Sequence, residues 1–149
     1  MGGWHIAQIN VASFRVARGS PVNATFEAAL DEVNALAEAS PGFVWRMVGE
    51  GENADGALFD DPNITINMTV WETVDHLAAF AYRNVTHRGV MRRRREWFVE
   101  LPAYLAMWWI PAGTVPTLAE GKARLATLAR LGPTPDAFDF RTPFPPPGA

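Results

Sequence analysis

Four segments of the chain have the residue pattern of β-strands. Residues 4–11, WHIAQINV, alternate between two sets of side chains, as a strand with two different faces requires. Residues 63–71, NITINMTVW, are rich in β-branched side chains, and residues 43–48 and 104–110 form two further apolar runs bounded by turn residues. The pattern therefore predicts four strands.

Apolar residues at helical spacing occupy the intervals between these strands. Ser20-Pro21 supplies a capping residue and a first-turn proline, and the apolar stripe that follows ends at Ser40-Pro41-Gly42. A second helical stretch runs over residues 72–98. A capping box at residues 117–120 begins a last helix, which ends at Gly132-Pro133. The pattern predicts three helices.

The order of these elements is strand, helix, strand, strand, helix, strand, with one helix appended. This order is typical of the ferredoxin-like βαββαβ fold, an α+β sandwich with an antiparallel four-stranded sheet. We predict one such domain over residues 1–132. Residues 133–149 contain six prolines and are predicted to form an extended C-terminal arm.

Alternation assigns the side chains of the first and third strands to two faces of the sheet. One set is aliphatic apart from a histidine and is expected to pack against the helices; we call it the aliphatic face. The other set, the amide face, mixes amides, hydroxyls and tryptophans and is expected to point away from the helices. The aliphatic face carries His5, Ala7, Ile9, Val11, Ile64, Ile66, Met68 and Val70, and the amide face carries Trp4, Ile6, Gln8, Asn10, Thr65, Asn67, Thr69 and Trp71.

The composition of the amide face permits two interpretations. Apolar walls with a few polar groups are typical of a ligand pocket, whereas polar residues on an open or dimer-forming sheet face need no ligand. In the pocket interpretation Gln8, Asn10 and Asn67 hydrogen-bond the oxygens of a substrate. The walls that exclude water from it are then Trp4, Trp45, Trp71 and Trp108 or Trp109.

Two further side chains are candidates for chemistry within the second helical stretch. His87 shares an apolar stripe with Val90 and Met91, so it is either a packed core histidine, a group that transfers a proton, or an axial ligand of haem iron. Tyr82 is a second candidate on the same segment.

Arg46 lies within a predicted strand of the sheet. A guanidinium buried there needs an oxygen partner. That partner is either a ligand oxygen, which makes Arg46 a substrate-binding residue, or an internal carboxylate.

Composition and charge exclude several other classes of protein. The chain has 149 residues, a net charge of −3 and no cysteine, which suits a cytoplasmic protein and argues against nucleic acid as a partner. The four consecutive arginines at 92–95 point in all directions around a helix and form no single basic patch. The sequence contains no signal peptide, no membrane-spanning run, no phosphate-binding loop and no set of metal ligands at recognisable spacing.

Several segments together resemble a known family over most of the chain, from Trp4 to about Phe140. They are WHIAQINVA, NALAEASPGFVWRM, NMTVWETVDHLAAFAYRNVTH, RRRREWF, MWWIPAGTVPT and GPTPDAF. The resemblance is to an uncharacterised bacterial family of unknown function in the dimeric α+β barrel superfamily, similar to the antibiotic-biosynthesis monooxygenases. It implies a homodimer in which two ferredoxin-like subunits pack sheet to sheet.

The same resemblance implies roles for individual residues. Cofactor-free monooxygenases of this superfamily use a strand amide, a tryptophan and sometimes a histidine near the substrate, and Asn10, Trp71 and His87 resemble that set. Haem-degrading relatives use a similar set with a histidine that ligates iron, although the 16-residue spacing from Trp71 to His87 does not match theirs.

We therefore expect a small-molecule enzyme that acts without a cofactor on an apolar or aromatic substrate. The class is that of the monooxygenases, cyclases or isomerases of aromatic polyketide tailoring, with an amide-stabilised enolate or phenolate and His87 as the proton carrier. Two alternatives stay open. One is a haem-binding or haem-degrading protein, and the other is a non-catalytic dimeric ligand-binding module.

Overall fold

The computed structural model describes residues 3–15, 21, 24–48, 64–83, 98–99 and 104–148. Its elements, in chain order, are β1 (Trp4–Phe14), α1 (Ala24–Glu38), β2 (Phe43–Arg46), β3 (Ile64–Trp71), α2 (Val74–Ala78) with a π-helical turn (Ala79–Arg83), β4 (Phe98–Val99), β5 (Leu105–Pro111) and α3 (Leu118–Leu131).

The strands form one antiparallel sheet with β1 and β3 at its centre. β3 pairs with β2 on one side and with β1 on the other. The opposite edge of β1 pairs with β5 along most of its length and with β4 at its C-terminal end. This order confirms the predicted ferredoxin-like α+β fold. The two-residue strand β4 was not predicted, because it lies at the end of the stretch 72–98 that was interpreted as helix. Residues 84–97 of that stretch lie outside the described residues.

Helices α1 and α2 pack on the amide face of the sheet. Ala37 of α1 and Leu77 of α2 belong to the same buried cluster as Trp71 and Ile6. α2 begins where the Thr73 hydroxyl accepts a hydrogen bond from the His76 backbone N–H at 3.0 Å. The prediction that the amide face points away from the helices is therefore wrong.

Helix α3 covers the aliphatic face. Leu125 and Leu128 pack there among the side chains of β1, β3 and β5, and Gly121 lets the helix approach Ile9 closely. The helix begins at Thr117, whose hydroxyl accepts from the Glu120 backbone N–H at 3.1 Å as the capping box predicts. Helices thus cover both faces of the sheet.

This covering changes the expectation for a dimer. In a single chain Ala7, Ile9, Val70 and Trp108 of the aliphatic face are already fully buried. Packing of two sheets face to face requires an uncovered face, and α3 occupies this one. A homodimer stays a prediction, and it needs a surface other than the aliphatic face.

The C-terminal arm packs on the edge of the chain's own sheet. Met107 of β5 and Phe138 exchange two backbone hydrogen bonds of 2.7 and 2.9 Å, as neighbouring antiparallel strand residues do. Ala137 and Phe138 are fully buried, and they belong to the clusters on the aliphatic and amide faces, respectively. The arm is therefore part of the core.

Candidate functional site

Four polar side chains meet on the amide face where β1 and β3 pair. The register places Gln8 opposite Thr69 and Asn10 opposite Asn67. Residues directly opposite each other share a face of the sheet, so the alternation predicted from the sequence brings these four together. Trp71 follows on the same face, opposite Ile6.

Hydrogen bonds join these side chains into one network. The Gln8 Nε2 donates to Asn67 Oδ1 and to Thr69 Oγ1, both at 2.8 Å. The Trp71 indole Nε1 donates to the same Thr69 oxygen at 2.9 Å. At the other end, the Asn10 Nδ2 donates to Gln8 Oε1 at 3.1 Å and to Asn67 Oδ1 at 3.2 Å. We call this set the amide network.

One end of the amide network is closed and the other is open. Gln8, Thr69 and Trp71 are 3%, 4% and 1% exposed, whereas Asn10 and Asn67 are half-buried. A buried polar group is costly unless it is hydrogen-bonded, so the network stabilises the closed end. The half-buried asparagines are the members that a ligand can reach.

Both asparagines at this open end have hydrogen-bonding atoms that the network does not use. An asparagine amide has two N–H donors and one acceptor oxygen. Within the described residues, Asn67 uses its oxygen twice and its Nδ2 in no hydrogen bond, while Asn10 uses its Nδ2 twice and its Oδ1 in none. The open end therefore presents N–H donors from Asn67 and an acceptor from Asn10.

Aromatic rings pack on the same face at the Trp71 end. Trp71 stacks on Phe80 with ring centroids 5.4 Å apart, and Phe43 contacts Trp71 edge to face at 5.5 Å. The stacking fixes the indole ring, so that its N–H points to Thr69. The predicted role of Trp71 as an apolar wall is compatible with this position.

The C-terminal arm supplies a second group of rings on the amide-face side. Phe138 lies 5.7 Å from Phe144, and Phe140 contacts Tyr82 edge to face at 5.0 Å. Trp109 anchors the arm, because its indole N–H donates to the Phe144 carbonyl at 2.9 Å. Sequence reasoning missed these phenylalanines, although the segment DAFDFRTPF is unusually aromatic for an extended tail.

Helix α1 directs a further amide toward the sheet. Asn34 is 8% exposed, and it lies three residues before Ala37, which packs in the amide-face cluster. Residues three apart share one side of a helix. Together with Gln8 and Thr69, Asn34 makes up the buried polar residues of the described part of the chain.

Two predicted wall residues lie on the wrong face. Trp45 pairs with Val70 and Trp108 pairs with Ala7, so both belong to the aliphatic face and pack in the cluster beneath α3. An irregularity in the pairing of β2 with β3 between Phe43 and Trp45 breaks the simple alternation of β2. Trp45 and Trp108 therefore cannot wall a site on the amide face.

Trp4 is on the predicted side of the sheet but remote from the network. It is 37% exposed and pairs with Pro111 at the end of β5. It lies six positions along the strand from Asn10, a distance of about 20 Å at the usual strand rise. Trp4 is not brought together with the amides.

Arg46 sits opposite Thr69 in the register of β2 and β3. Its Nε lies 3.5 Å from the Glu38 carboxylate at the end of α1, and its Nη1 donates to the Met47 carbonyl at 3.3 Å. Of the two alternatives for Arg46, the internal carboxylate is the one that the structure contains.

Of the two remaining candidates, the structure describes one. Tyr82 is 53% exposed and contacts Phe140 rather than the amide network. His87 lies outside the described residues. The two described histidines face elsewhere: His5 is on the aliphatic face opposite Ile110, and the His76 ring lies beside the Thr73 hydroxyl at 2.8 Å.

The positions of the described histidine and acidic side chains determine whether they can ligate haem iron or a metal ion. Within the described ranges, no group of three or more acidic or histidine side chains is placed to hold a metal ion. Neither His5 nor His76 is placed to ligate haem iron on the amide face. Haem ligation by His87 stays a prediction, since that residue lies outside the described residues. No helix in the described part of the chain is long and apolar enough to cross a membrane.

Comparison with known proteins identifies a family and a shared fold. A family model described as "Domain of unknown function (DUF3291)" matches residues 5–149. No curated protein matches the chain. Among solved structures, the chain is similar to Rv0793 from Mycobacterium tuberculosis, with a TM-score of 0.52, 13% identity, and coverage of 76% of this chain and 98% of the other.

Two other solved structures are more distant. SnoaB, a cofactor-independent oxygenase from Streptomyces nogalater, has a TM-score of 0.46 and 16% identity over 78% of this chain and 98% of its own. A candidate antibiotic biosynthesis monooxygenase from Nitrosomonas europaea has a TM-score of 0.48 and 14% identity over 77% of this chain and 93% of its own. At these identities the likeness concerns the fold alone. The family model, which covers residues 5–149, confirms the family of unknown function inferred from the sequence.

Proposed function

Since the chain belongs to the DUF3291 family, whose description assigns no activity, we propose its function from the site on the amide face. The protein binds a flat aromatic or polyketide-type molecule there and stabilises a developing enolate or phenolate oxygen. The reaction class is that of a cofactor-independent monooxygenase, cyclase or isomerase. The observation that carries the proposal is the open end of the amide network, where Asn67 Nδ2 has no hydrogen-bond partner among the described residues.

The electrostatic argument starts from fixed donors. N–H groups that already point to the position where negative charge develops stabilise that charge without reorganising during the reaction. Asn67 meets this condition, because Gln8 and Asn10 both hold its oxygen and thereby orient its nitrogen. A partly dry site strengthens the effect, since less water screens the charge.

The aromatic rings support the proposed ligand class. Trp71 and Phe80 lie beside the closed end of the network, and Phe138, Phe140 and Phe144 of the arm pack on the same side of the sheet. Such surroundings favour a ligand with flat apolar rings, and the amides fix its orientation through its oxygens. The predicted set of Gln8, Asn10, Asn67 and Trp71 thus stays together in the proposal.

The base in this proposal is His87, on sequence grounds. An imidazole has a reference pKa of about 6.5 and can accept a proton near neutral pH. With anthrone as substrate, the base removes a proton from the methylene carbon, and the carbanion is stabilised as an enolate. The carbanion then bonds to O₂, and the resulting peroxide takes the proton back from His87. The hydroperoxide loses water, so that anthrone and O₂ become anthraquinone and water.

The homodimer implied by the family resemblance belongs to the same proposal. Since α3 covers the aliphatic face, the proposed dimer uses a different surface and leaves the amide-face site within each chain. The site as we describe it needs no residue of a second subunit.

The test is oxygen uptake with anthrone as the probe substrate. We expect activity in the wild type, and losses of about 10²-fold or more in kcat for Asn67→Ala and for His87→Ala, as expected for an oxyanion donor and a general base. Thr65→Ser is the matched control, because Thr65 is on the same face of β3 one pleat away and pairs with Ala12 outside the network. Rates that Asn67→Ala and His87→Ala leave unchanged, with folding intact, would contradict the mechanism.

A further inference from the structure

Gln8 is the most buried amide of the network and the one with the most partners. Its Nε2 makes two hydrogen bonds and its Oε1 accepts one, so it bonds to Asn67, Thr69 and Asn10 at once. At 3% exposure it lies behind the two asparagines, which a ligand reaches first. Its position suits a residue that acts through its neighbours.

The bonds of Gln8 decide which atoms the asparagines show to a ligand. The Gln8 Nε2 is a donor, so it attracts Asn67 Oδ1 and leaves Asn67 Nδ2 pointing elsewhere. The Gln8 Oε1 is an acceptor, so it attracts Asn10 Nδ2 and leaves Asn10 Oδ1 unused. We infer that Gln8 is a positioning residue that sets the polarity of the site, with a donor at Asn67 and an acceptor at Asn10.

Because the three amides hydrogen-bond to one another, the orientation of each amide depends on the orientation of the other two. If Gln8 alone turned over, its oxygen would face Asn67 Oδ1 at about the present 2.8 Å, which is repulsive. Asn67 and Asn10 contact each other as well, so the three amides must turn together or not at all. Thr69 Oγ1 accepts from both Gln8 Nε2 and the Trp71 indole, which can only donate.

This arrangement of a donor and an acceptor narrows the class of ligand in the proposed function. The catalytic part of the inference rests on that proposed function. A matching ligand has an acceptor oxygen for Asn67 and, near it, a hydroxyl or N–H donor for Asn10. An ether in place of that hydroxyl leaves Asn10 Oδ1 without a donor. A ligand pair that differs only by O-methylation of this hydroxyl therefore measures the acceptor at Asn10.

The substitution Gln8→Glu tests the inference, because it keeps the size of the side chain and replaces the donor by an acceptor. The introduced carboxylate attracts Asn67 Nδ2 and turns the Asn67 oxygen to the ligand. We expect kcat with anthrone to fall about 10²-fold, as for removal of an oxyanion donor, while KM changes little. On the Asn67→Ala background the same substitution should have almost no further effect on kcat.

A purely structural role of Gln8 would give a different result in this double-mutant cycle of Gln8→Glu and Asn67→Ala. If Gln8 only supported the sheet, Gln8→Glu would reduce kcat by the same factor in both backgrounds, and that outcome would overturn the inference. Thr65→Ser is again the control for a change on this face that leaves the amides in place. Gln8→Met, which has a similar shape and no amide, replaces Gln8→Glu in the cycle if the latter does not fold.

A second measurement does not depend on turnover. In a ¹H–¹⁵N spectrum the Asn67 side-chain resonances, identified by their loss in Asn67→Ala, should shift in Gln8→Glu as Nδ2 becomes bonded to the carboxylate. Resonances that do not move would overturn the inference even if anthrone is oxidised. A shift without any turnover in the wild type would support the inference and contradict the proposed function instead.

Discussion

Gly121 of α3 lies so close to Ile9 of β1 that a Cβ atom at position 121 would come within 2.8 Å of the Ile9 Cδ1 atom. The same Cβ would lie 3.2 Å from the Met68 sulfur. Any larger residue at this position would therefore force the buried Ile9 side chain to shift, and the Met68 thioether to give slightly. Through this glycine α3 packs tightly on the aliphatic face, which is why that face is buried within one chain.

A large side chain at this position should therefore destabilise the fold. We expect Gly121→Leu to lower the free energy of unfolding by about 1–3 kcal/mol, because overpacking forces α3 away from the sheet. Urea denaturation followed by circular dichroism measures the change. The control is Ala123→Leu, an exposed position of the same helix, which should change stability by less than about 0.5 kcal/mol. Equal effects at both positions would contradict the packing argument.

Substitutions at two further glycines separate the effect of backbone strain from the effect of side-chain contact. Gly42 and Gly113 have φ angles of 82° and 89°, which other residues rarely adopt. A Cβ at Gly42 would also overlap the His76 ring, whereas no atom of the described residues lies within 4 Å of one at Gly113. We expect Gly113→Ala to cost about 1 kcal/mol and Gly42→Ala distinctly more. Equal midpoints in urea for the two variants would show that His76 moves away freely.

The fold was predictable from sequence where the signal is local. Alternation in β1 and β3 assigned Gln8, Asn10, Asn67 and Thr69 to one face, and the register bears this out. Which helix covers that face is not a local property. The helices that connect the strands and the appended α3 each have an apolar stripe, and the strand pattern does not say which stripe meets which face. The faces were therefore assigned correctly and their coverings wrongly.

The site was predictable to a similar extent. The amides share a face because of strand alternation, but the direction of each hydrogen bond depends on distances that the sequence does not contain. Trp45 was misplaced because the irregularity in β2 shifts the alternation by one residue. Phe138 was missed because a proline-rich segment lacks the periodic pattern from which burial is predicted, although this residue is fully buried.

The Thr69 hydroxyl should contribute strongly to stability, because it is the shared acceptor of Gln8 and Trp71. Thr69→Val keeps the shape and leaves two buried N–H donors without that partner. Each such donor costs about 1–3 kcal/mol, so the free energy of unfolding should fall by about 2–6 kcal/mol. Thr69→Ser keeps the hydroxyl and should cost about 1 kcal/mol through the lost methyl group. Urea midpoints that rank Thr69→Ser below Thr69→Val would contradict the role of the hydroxyl.

Because the arm packs on its own chain, the loss of stability caused by mutations in the arm should not depend on protein concentration. Phe138 is fully buried, so Phe138→Ala should lower the free energy of unfolding by about 3–5 kcal/mol, and Phe140→Ala, at a half-buried position, should cost less. Because the arm contacts Met107 of the same chain, the loss should be the same at all protein concentrations. The measurement is the urea midpoint over a hundredfold range of concentration, with oligomeric state followed by light scattering. An arm that binds a partner subunit would instead give a loss that varies with concentration, since dissociation then contributes to unfolding.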